Sequence, residues 1–208
     1  MENRHENILP SASIENIPIA IIGLGGIGSH LALMLAKMGA RNLELCDFDT
    51  VDEVNISSQA FTPDDIGKNK AEAIAEKLHA FNFLPTVHAN RFTASNADIL
   101  AVCVDSMATR KAIYEQLQPH QFITEGRMGG ELARIYAVDS TTPSGNYLAQ
   151  LYSDEDAEPT PCGSRALAYN TQLTASLMAS NIRKRLTGDP VPFEIVFDIK
   201  NLGLSVTR

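Results

Sequence analysis

The chain has 208 residues, of which 44% are hydrophobic and 20% are charged, and its formal net charge at pH 7 is −8. This length and apolar content predict one α/β domain with a full core, and they leave too few residues for two large domains. The acidic balance argues against general affinity for nucleic acid, and no uninterrupted apolar segment approaches the roughly 20 residues needed to cross a bilayer.

The N-terminal residues MENRHENILP lack the hydrophobic stretch of a secretion signal, so we expect a cytoplasmic protein that binds neither membranes nor nucleic acid. The three cysteines make an odd count. Two of them, Cys46 and Cys103, lie in strand-like runs where we expect small buried hydrophobic residues and no disulfide. Neither CxxC pairs nor closely spaced histidines occur, so a structural zinc site is not expected.

Residues 18–49 predict a strand, a glycine-rich turn, a helix and a second strand. The apolar run Ile19–Ile22 is typical of a buried parallel strand. Four glycines follow it and open the helix, and they allow a tight turn whose N–H groups approach phosphates: Gly23, Gly25, Gly26 and Gly28. Asp47 ends the second strand, where its carboxylate can accept both hydroxyls of a ribose. The pattern predicts a nucleotide site, and the alternative is a turn that only packs a helix on a strand.

The next elements bring further polar side chains to the same edge of the predicted sheet. Residues 62–65 are predicted to form a capped helical turn, a second helix starts near Asn69, and a third strand begins at 85–87. The apolar run 99–104 predicts another buried strand, which Asp105 terminates. Because ligands bind outside the carboxyl ends of strands in open α/β sheets, we expect Asp105, Asp47 and the glycine turn to converge on one crevice.

The second half of the chain predicts a mixed sheet. A helix over 108–117 is followed by strand 121–126, and the alternation in 129–139 suits antiparallel strands. Residues 140–161 lack clear periodicity, as lids and binding loops often do. The basic cluster 183–185 is expected at a helix end, because Gly188 follows it as a stop signal.

Ser164 is expected to cap that helix, which runs through Leu167 and Ile182, and two short strands close the chain. The predicted fold is therefore a Rossmann-like three-layer α/β/α domain with a mixed, mostly parallel sheet. Its nucleotide-binding part covers about 17–139, its crossover loop about 140–163, and its C-terminal helix and strands 164–208.

Together these motifs resemble the ThiF/MoeB/HesA family of adenylating enzymes, which are relatives of the ubiquitin-activating enzymes. The family pattern runs GxGGxG, DxDxVxxxNxxRQ, GxxK and a strand ending in xDN. The matching residues are the four glycines, Asp47, Asp49, Asn55, Gln59, Gly67, Lys70 and Asp105. The resemblance is close over roughly 18–139, and the combined spacing is far more specific than any single motif.

The resemblance implies that a carboxylate attacks the α-phosphate of ATP, forms an acyl-adenylate and releases pyrophosphate. That carboxylate is usually the C-terminal glycine of a small ubiquitin-fold protein, and relatives are commonly homodimers. Lys70 is then assigned to the phosphates and Asp105 to Mg²⁺. Asp47 would bind the ribose, and Asn55 and Gln59 would orient the phosphate chain. Asp49 would be a second metal contact. Simpler interpretations remain: a solvated helix lysine for Lys70, with Lys68 as its competitor, and a helix cap for Asp105.

One departure concerns arginine. The family pattern has an arginine before the glutamine, where this chain has Ser58. Either another arginine replaces it, or catalysis is weakened. Arg110 matches a family position and is expected to approach the phosphates or to pair with Asp105. Arg4 is a poorly matched counterpart of a family arginine that often reaches the site across a dimer.

Cys162 decides whether a second step is expected. Some relatives stop at the adenylate, whereas others pass the acyl group to a cysteine as a thioester. Pro-Thr-Pro-Cys before a long helix is similar to the cysteine site of autophagy-type activating enzymes, and the helix dipole would lower the pKa of the thiol. The acidic residues upstream would raise that pKa, so an incidental loop cysteine is the alternative.

Two other functions compete with adenylation. An NAD-dependent oxidoreductase would use the glycine turn and Asp47 alone. A catalytically silent adaptor that keeps the fold is compatible with Ser58 in place of the arginine.

Overall fold

An eight-stranded sheet organises the structure, a computed structural model that describes residues 4–152 and 166–208. Its strands are β1 (Ile19–Ile22), β2 (Leu43–Cys46), β3 (Thr86–His88), β4 (Ile99–Val102), β5 (Phe122–Gly129), β6 (Leu132–Asp139), β7 (Glu194–Asp198) and β8 (Gly203–Thr207). The spatial order is β3-β2-β1-β4-β5-β6-β7-β8. β3 through β5 in this order are parallel, and β6, β7 and β8 add in antiparallel fashion. The predicted mixed, mostly parallel sheet is confirmed.

Five α-helices accompany the strands in the described ranges: α1 (Gly26–Met38), α2 (Lys70–Leu78), α3 (Met107–Glu115), α4 (Ser144–Leu148) and α5 (Ala168–Thr187). Asn69 caps α2 by accepting the N–H groups of Ala71 and Glu72. Gly188 ends α5 in the left-handed conformation, as its stop signal predicts. Within these ranges no helix has both the length and the apolar character that spanning a bilayer requires.

The two faces of the central strands bury separate clusters, because successive side chains of a strand point to opposite faces. On one face, Ile19 and Ile21 pack with side chains of α1, α2 and α5. On the other, Ala20 and Ile22 lie in a cluster that contains Ile113 of α3 and Tyr147 of α4. The result is the predicted three-layer α/β/α arrangement, and it explains why β1 is apolar at every position.

Some predicted boundaries differ from the structure. The helix expected to include Leu167 begins at Ala168, because Leu167 is extended and stands at the N-cap. Ser164, the predicted cap, lies outside the described residues. Residues 140–161 were expected to lack regular structure, but α4 lies there and buries Tyr147. A single aromatic anchor in a five-residue helix produces no periodic signal in the sequence.

Gly28 shows how tightly α1 packs on the turn before it. A β-carbon at this position would lie 1.9 Å from the carbonyl oxygen of Gly23. Ordinarily Gly→Ala inside a helix is stabilising, because alanine has the higher helix propensity. Here the steric overlap dominates, and the backbone of the turn has to move.

We therefore expect Gly28→Ala to lower the free energy of unfolding by about 1–3 kcal/mol, the usual cost of overpacking. Urea denaturation would measure the change. Gly129→Ala is the matched control, because nothing lies within 4 Å of its added carbon. Equal stability of the two variants would contradict the packing role assigned to Gly28.

Candidate nucleotide-binding site

A cavity of about 820 Å³ lies at the carboxyl edge of the parallel strands. Its walls come from the glycine turn after β1, the segments that follow β2, β3 and β4, and the end of β5. Its volume is in the range of small-molecule sites, and its position is where open α/β sheets bind ligands. The predicted convergence of the glycine turn, Asp47 and Asp105 on one crevice is therefore present in the structure.

The glycine turn is shaped by close contact with the residues that follow β4. Gly23 has φ +88°, a left-handed conformation, and a β-carbon there would lie 2.9 Å from the backbone of Cys103. Gly23, Gly25 and Gly26 line the cavity. Gly28, which the sequence pattern also assigns to the nucleotide, is not among the lining residues and instead packs α1 against Gly23. Three of the four glycines thus present backbone to the cavity.

Asp47 braces the turn from β2. Its Oδ2 accepts the N–H of Leu24 at 2.6 Å, and its Oδ1 accepts the N–H of Asp49 at 2.8 Å. Burial raises the pKa of this carboxyl above its ordinary value, although the two N–H donors oppose the shift. The carboxylate lines the cavity with lone pairs left over, so it can also accept hydroxyl groups of a ligand.

Lys70 is the lysine that reaches the site. It begins α2, its side chain is only 10% exposed, and its Nζ lies 3.1 Å from Oδ2 of Asp49. Lys68, the competing candidate, lies outside the cavity lining and pairs with Glu76 at 2.6 Å. A surface lysine would be solvated, so the burial of Lys70 disagrees with the simpler interpretation of this residue.

Gln59 and Asn55 differ in their position relative to the cavity. Gln59 lines the cavity, and its Oε1 is buried without a hydrogen-bond partner in the described ranges. Asn55 does not line the cavity. Its Oδ1 accepts the N–H of Asp52 at 2.9 Å, which closes a capped 3₁₀ turn. The asparagine thus supports the loop that carries Gln59, whereas the sequence prediction assigned it to the phosphates.

Asp105 is exposed at the end of β4 and lines the cavity. The helix cap is provided by the next residue, because the hydroxyl of Ser106 accepts the N–H of Thr109 at 3.2 Å. The described residues contain no cluster of three or more His, Cys, Asp or Glu suited to a metal ion. One carboxylate beside a glycine turn still fits Mg²⁺, which takes one or two carboxylates together with phosphate oxygens and water.

Arg110 does not pair with Asp105. It is 4% exposed, and its Nη1 lies 2.7 Å from Oε1 of the fully buried Glu125. Its Nη2 donates to the carbonyl oxygens of Val104 and Gly126. These contacts join the ends of β4 and β5 beneath the cavity, so Arg110 holds the wall on which a ligand would rest.

Two cationic residues of the cavity wall were not predicted from the sequence. Arg127 shares the carboxylate of Glu125 with Arg110, and Arg91 stacks on the ring of Phe48 at 4.2 Å. The predicted strand ended at residue 126, whereas β5 continues to Gly129 and so places Glu125 and Arg127, two residues apart, on one face. Arg4, the proposed N-terminal counterpart, is exposed and is not among the lining residues.

A family model described as the ThiF family matches residues 10–202. The chain belongs to the ThiF family. This ThiF-family chain is similar to ubiquitin-like modifier-activating enzyme 5 of Drosophila grimshawi, with 34% identity over 121 residues, or 48% of this chain and 30% of that protein. It is also similar to "Probable adenylyltransferase/sulfurtransferase MoeZ" of Mycobacterium tuberculosis, with 29% identity over 196 residues, or 84% of this chain and 49% of that protein. The chain spans half or less of the length of these curated relatives.

Solved structures share the fold of this ThiF-family chain. The crystal structure of PaaA has a TM-score of 0.76 and 18% identity, covering 99% of this chain and 68% of that one. E. coli MccB, crystallised with ATP, has a TM-score of 0.73 and 18% identity, covering 95% and 65%. At such identities the likeness shows the fold alone.

The cysteines of the cavity region are poor nucleophiles in this ThiF-family fold. Burial, with the nearby Asp47 and Glu44 carboxylates, raises the pKa of Cys46 to about 11. Burial raises the pKa of Cys103 to about 12, and Arg110 only partly opposes this. Cys162 lies outside the described residues.

Because only the thiolate reacts, Cys46 and Cys103 of the folded chain should be alkylated by iodoacetamide at pH 7.5 about 100-fold and about 1,000-fold more slowly, respectively, than ordinary thiols. Both should react at ordinary rates after unfolding in urea. Peptide mass spectrometry of quenched samples would measure the rates. Rapid labelling of either cysteine in the folded chain would contradict the burial described here.

Proposed function

We propose that this chain is an ATP-dependent adenylyltransferase that activates a carboxyl group, namely the C-terminal glycine of a small ubiquitin-fold protein. The observation that carries the proposal is the meeting of Gly25, Asp47, Lys70 and Asp105 around one cavity in a ThiF-family chain. Its similarity to a ubiquitin-like modifier-activating enzyme and to a probable adenylyltransferase/sulfurtransferase supports it. A homodimer, as in related enzymes, is part of the proposal.

In the proposed reaction, a carboxylate oxygen of the substrate attacks the α-phosphorus of ATP. The bond from that phosphorus to the α,β-bridging oxygen breaks, and pyrophosphate leaves with the bonding electrons. Because the nucleophile and the triphosphate are both anionic, the site must neutralise negative charge before they can approach. Bound Mg²⁺ would neutralise phosphate oxygens, and Asp105 is the residue that would hold it.

Lys70 would provide charge directly to the phosphates. Its present partner, Asp49, is half exposed, with a side-chain accessibility of 51%. A half-exposed carboxylate is a weak competitor for the ammonium group compared with a triphosphate carrying several charges. The N–H groups of the glycine turn and the start of α1 favour anionic oxygens at the same place. Ribose hydroxyls would bind the free lone pairs of Asp47.

We test adenylation by exchange of labelled pyrophosphate into ATP, which needs the substrate carboxylate and Mg²⁺. Lys70→Ala and Asp105→Ala should each reduce the exchange rate about 10²- to 10³-fold, the usual loss when one group that stabilises developing charge is removed. Lys111→Ala and Asp98→Ala are matched controls, because both residues lie outside the cavity lining.

Retention of full exchange by both Lys70→Ala and Asp105→Ala would overturn the assignment. Tight binding of NAD without binding of ATP, in a thermal-shift comparison, would favour the oxidoreductase. Binding of ATP without exchange under any partner would favour the silent adaptor.

A second step on Cys162 extends the proposal. The thiolate would attack the carbonyl carbon of the acyl-adenylate, the bond to the phosphate oxygen would break, and AMP would leave. The raised pKa values of Cys46 and Cys103 make those two thiols unsuitable, which leaves Cys162 as the candidate carrier.

Incubation of the chain with ATP, Mg²⁺ and the ubiquitin-fold partner should give a covalent adduct that a thiol reductant removes. Cys162→Ala should abolish the adduct and leave pyrophosphate exchange within about twofold of the unmodified chain, because adenylation precedes thioester formation. Cys46→Ala is the matched control and should keep the adduct. Non-reducing electrophoresis gives the readout, and an adduct that survives Cys162→Ala would exclude this thiol.

A further inference from the structure

The loop that should carry an arginine has none, and its backbone is held in place. Ser58 is 7% exposed. Its carbonyl oxygen accepts from Nε2 of His30 at 3.2 Å and from the hydroxyl of Thr171 at 3.0 Å. These bonds fix the loop beside the glycine turn, and the serine side chain brings no positive charge there.

Arg127 lines the same cavity as the glycine turn. A β-carbon at Gly26 would be 2.8 Å from Cγ2 of Thr171 and 3.0 Å from Cε of Met128. Thr171 binds the Ser58 carbonyl, and Met128 is the residue after Arg127 in β5. Because side chains alternate along a strand, the side chain of Arg127 points to the opposite face of β5 from Met128. The Ser58 loop therefore contacts the glycine turn through Thr171, and Arg127 lines the same cavity as that turn.

The guanidinium of Arg127 is held firmly but incompletely. Its Nε donates to Glu125, its Nη1 donates to the carbonyl oxygen of Gln150 at 2.7 Å, and its plane stacks on the Tyr136 ring at 4.6 Å. The side chain is 11% exposed. Its Nη2 is buried and has no hydrogen-bond acceptor within residues 4–152 and 166–208. A buried charged donor without an acceptor is costly, and a ligand oxygen would remove that cost.

The charges around Glu125 do not balance. One carboxylate contacts two guanidinium groups, those of Arg110 and Arg127, and its other oxygen accepts the neutral hydroxyl of Tyr147. The cluster therefore carries one uncompensated positive charge at the wall of the cavity. Such a charge favours an anionic ligand, and an arginine fork suits phosphate oxygens.

We propose that Arg127 binds the terminal phosphates of the nucleotide and takes the place of the arginine that Ser58 replaces. The inference rests on the proposed function, because it concerns the same ATP. Glu125, Gln150 and Tyr136 orient the guanidinium before the ligand arrives, so little freedom is lost on binding.

The test compares binding of two nucleotides, a non-hydrolysable ATP analogue with Mg²⁺ and AMP, by titration calorimetry. Arg127→Gln should weaken the ATP analogue about 10- to 100-fold, the range for loss of a charged hydrogen bond, and leave AMP within twofold. The matched control is Arg134→Gln. Arg134 lies opposite Arg127 in the β5–β6 register, but it is 40% exposed, pairs with Glu194 and lies outside the cavity lining.

If Arg127 has only a structural role, Arg127→Gln would weaken the binding of both nucleotides equally, and that result would overturn the proposal.

Ser58→Arg added to Arg127→Gln should recover at least tenfold of the lost affinity for the ATP analogue. No recovery would overturn the equivalence of the two positions. If Arg127→Gln lowers the melting temperature strongly, Arg127→Lys replaces it. The lysine keeps the charge but lacks the forked guanidinium, so we again expect weaker binding of the ATP analogue and unchanged binding of AMP. If Arg127→Lys binds each nucleotide as tightly as the unmodified chain does, the proposal is overturned.

The unmodified chain separates this inference from the function on which it rests. If the unmodified chain does not prefer the ATP analogue to AMP, the proposed function fails with it. If it does prefer the analogue and Arg127→Gln keeps the full preference, adenylation stands and only the role of Arg127 is wrong.

Discussion

The buried carboxylate of Asp47 connects the two halves of the cavity wall. One oxygen holds the N–H of Leu24 in the glycine turn, and the other holds the N–H of Asp49 at the exit of β2. Asp49 then accepts the backbone N–H of Lys70 through its carbonyl and the ammonium group through its side chain. A single acid therefore sets the position of the glycine turn relative to the lysine. Because both loops depend on it, neither wall is organised independently of the other.

The fold was largely predictable because its information is local. Continuous apolar runs give the central parallel strands, and glycine spacing gives the turn and the helix after it. Convergence of Asp47 and Asp105 followed from topology, since parallel strands end at one edge. The pairing of Arg110 with Glu125 was not predictable, because it depends on how α3 and β5 meet. The local role of Asn55 could have been recognised from Asp52, which precedes it by three residues in a capping pattern.

The net charge of −8 applies to the whole chain, and the local charge of the cavity differs from it. Four cationic side chains line it: Lys70, Arg91, Arg110 and Arg127. Three carboxylates line it as well: Asp47, Asp49 and Asp105. Asp47 accepts backbone N–H groups of two loops, Asp49 pairs with Lys70, and Asp105 is exposed to the cavity. An acidic protein can therefore hold an anionic ligand, because attraction over a few ångströms in a partly buried site outweighs screened charges far away. The net charge argues against general affinity for nucleic acid, but it does not predict whether the cavity binds a nucleotide.

One guanidinium, that of Arg127, contacts both the cavity and the carbonyl of Gln150, and Tyr147 of α4 contacts the same Glu125. A ligand that bound this guanidinium would therefore act on the contacts that anchor α4 and the residues after it. Thermodynamic linkage makes the effect reciprocal: a partner that pulled on α4 would change the affinity of the cavity by the same factor. β5, which supplies one wall of the cavity, thus also connects the cavity to α4.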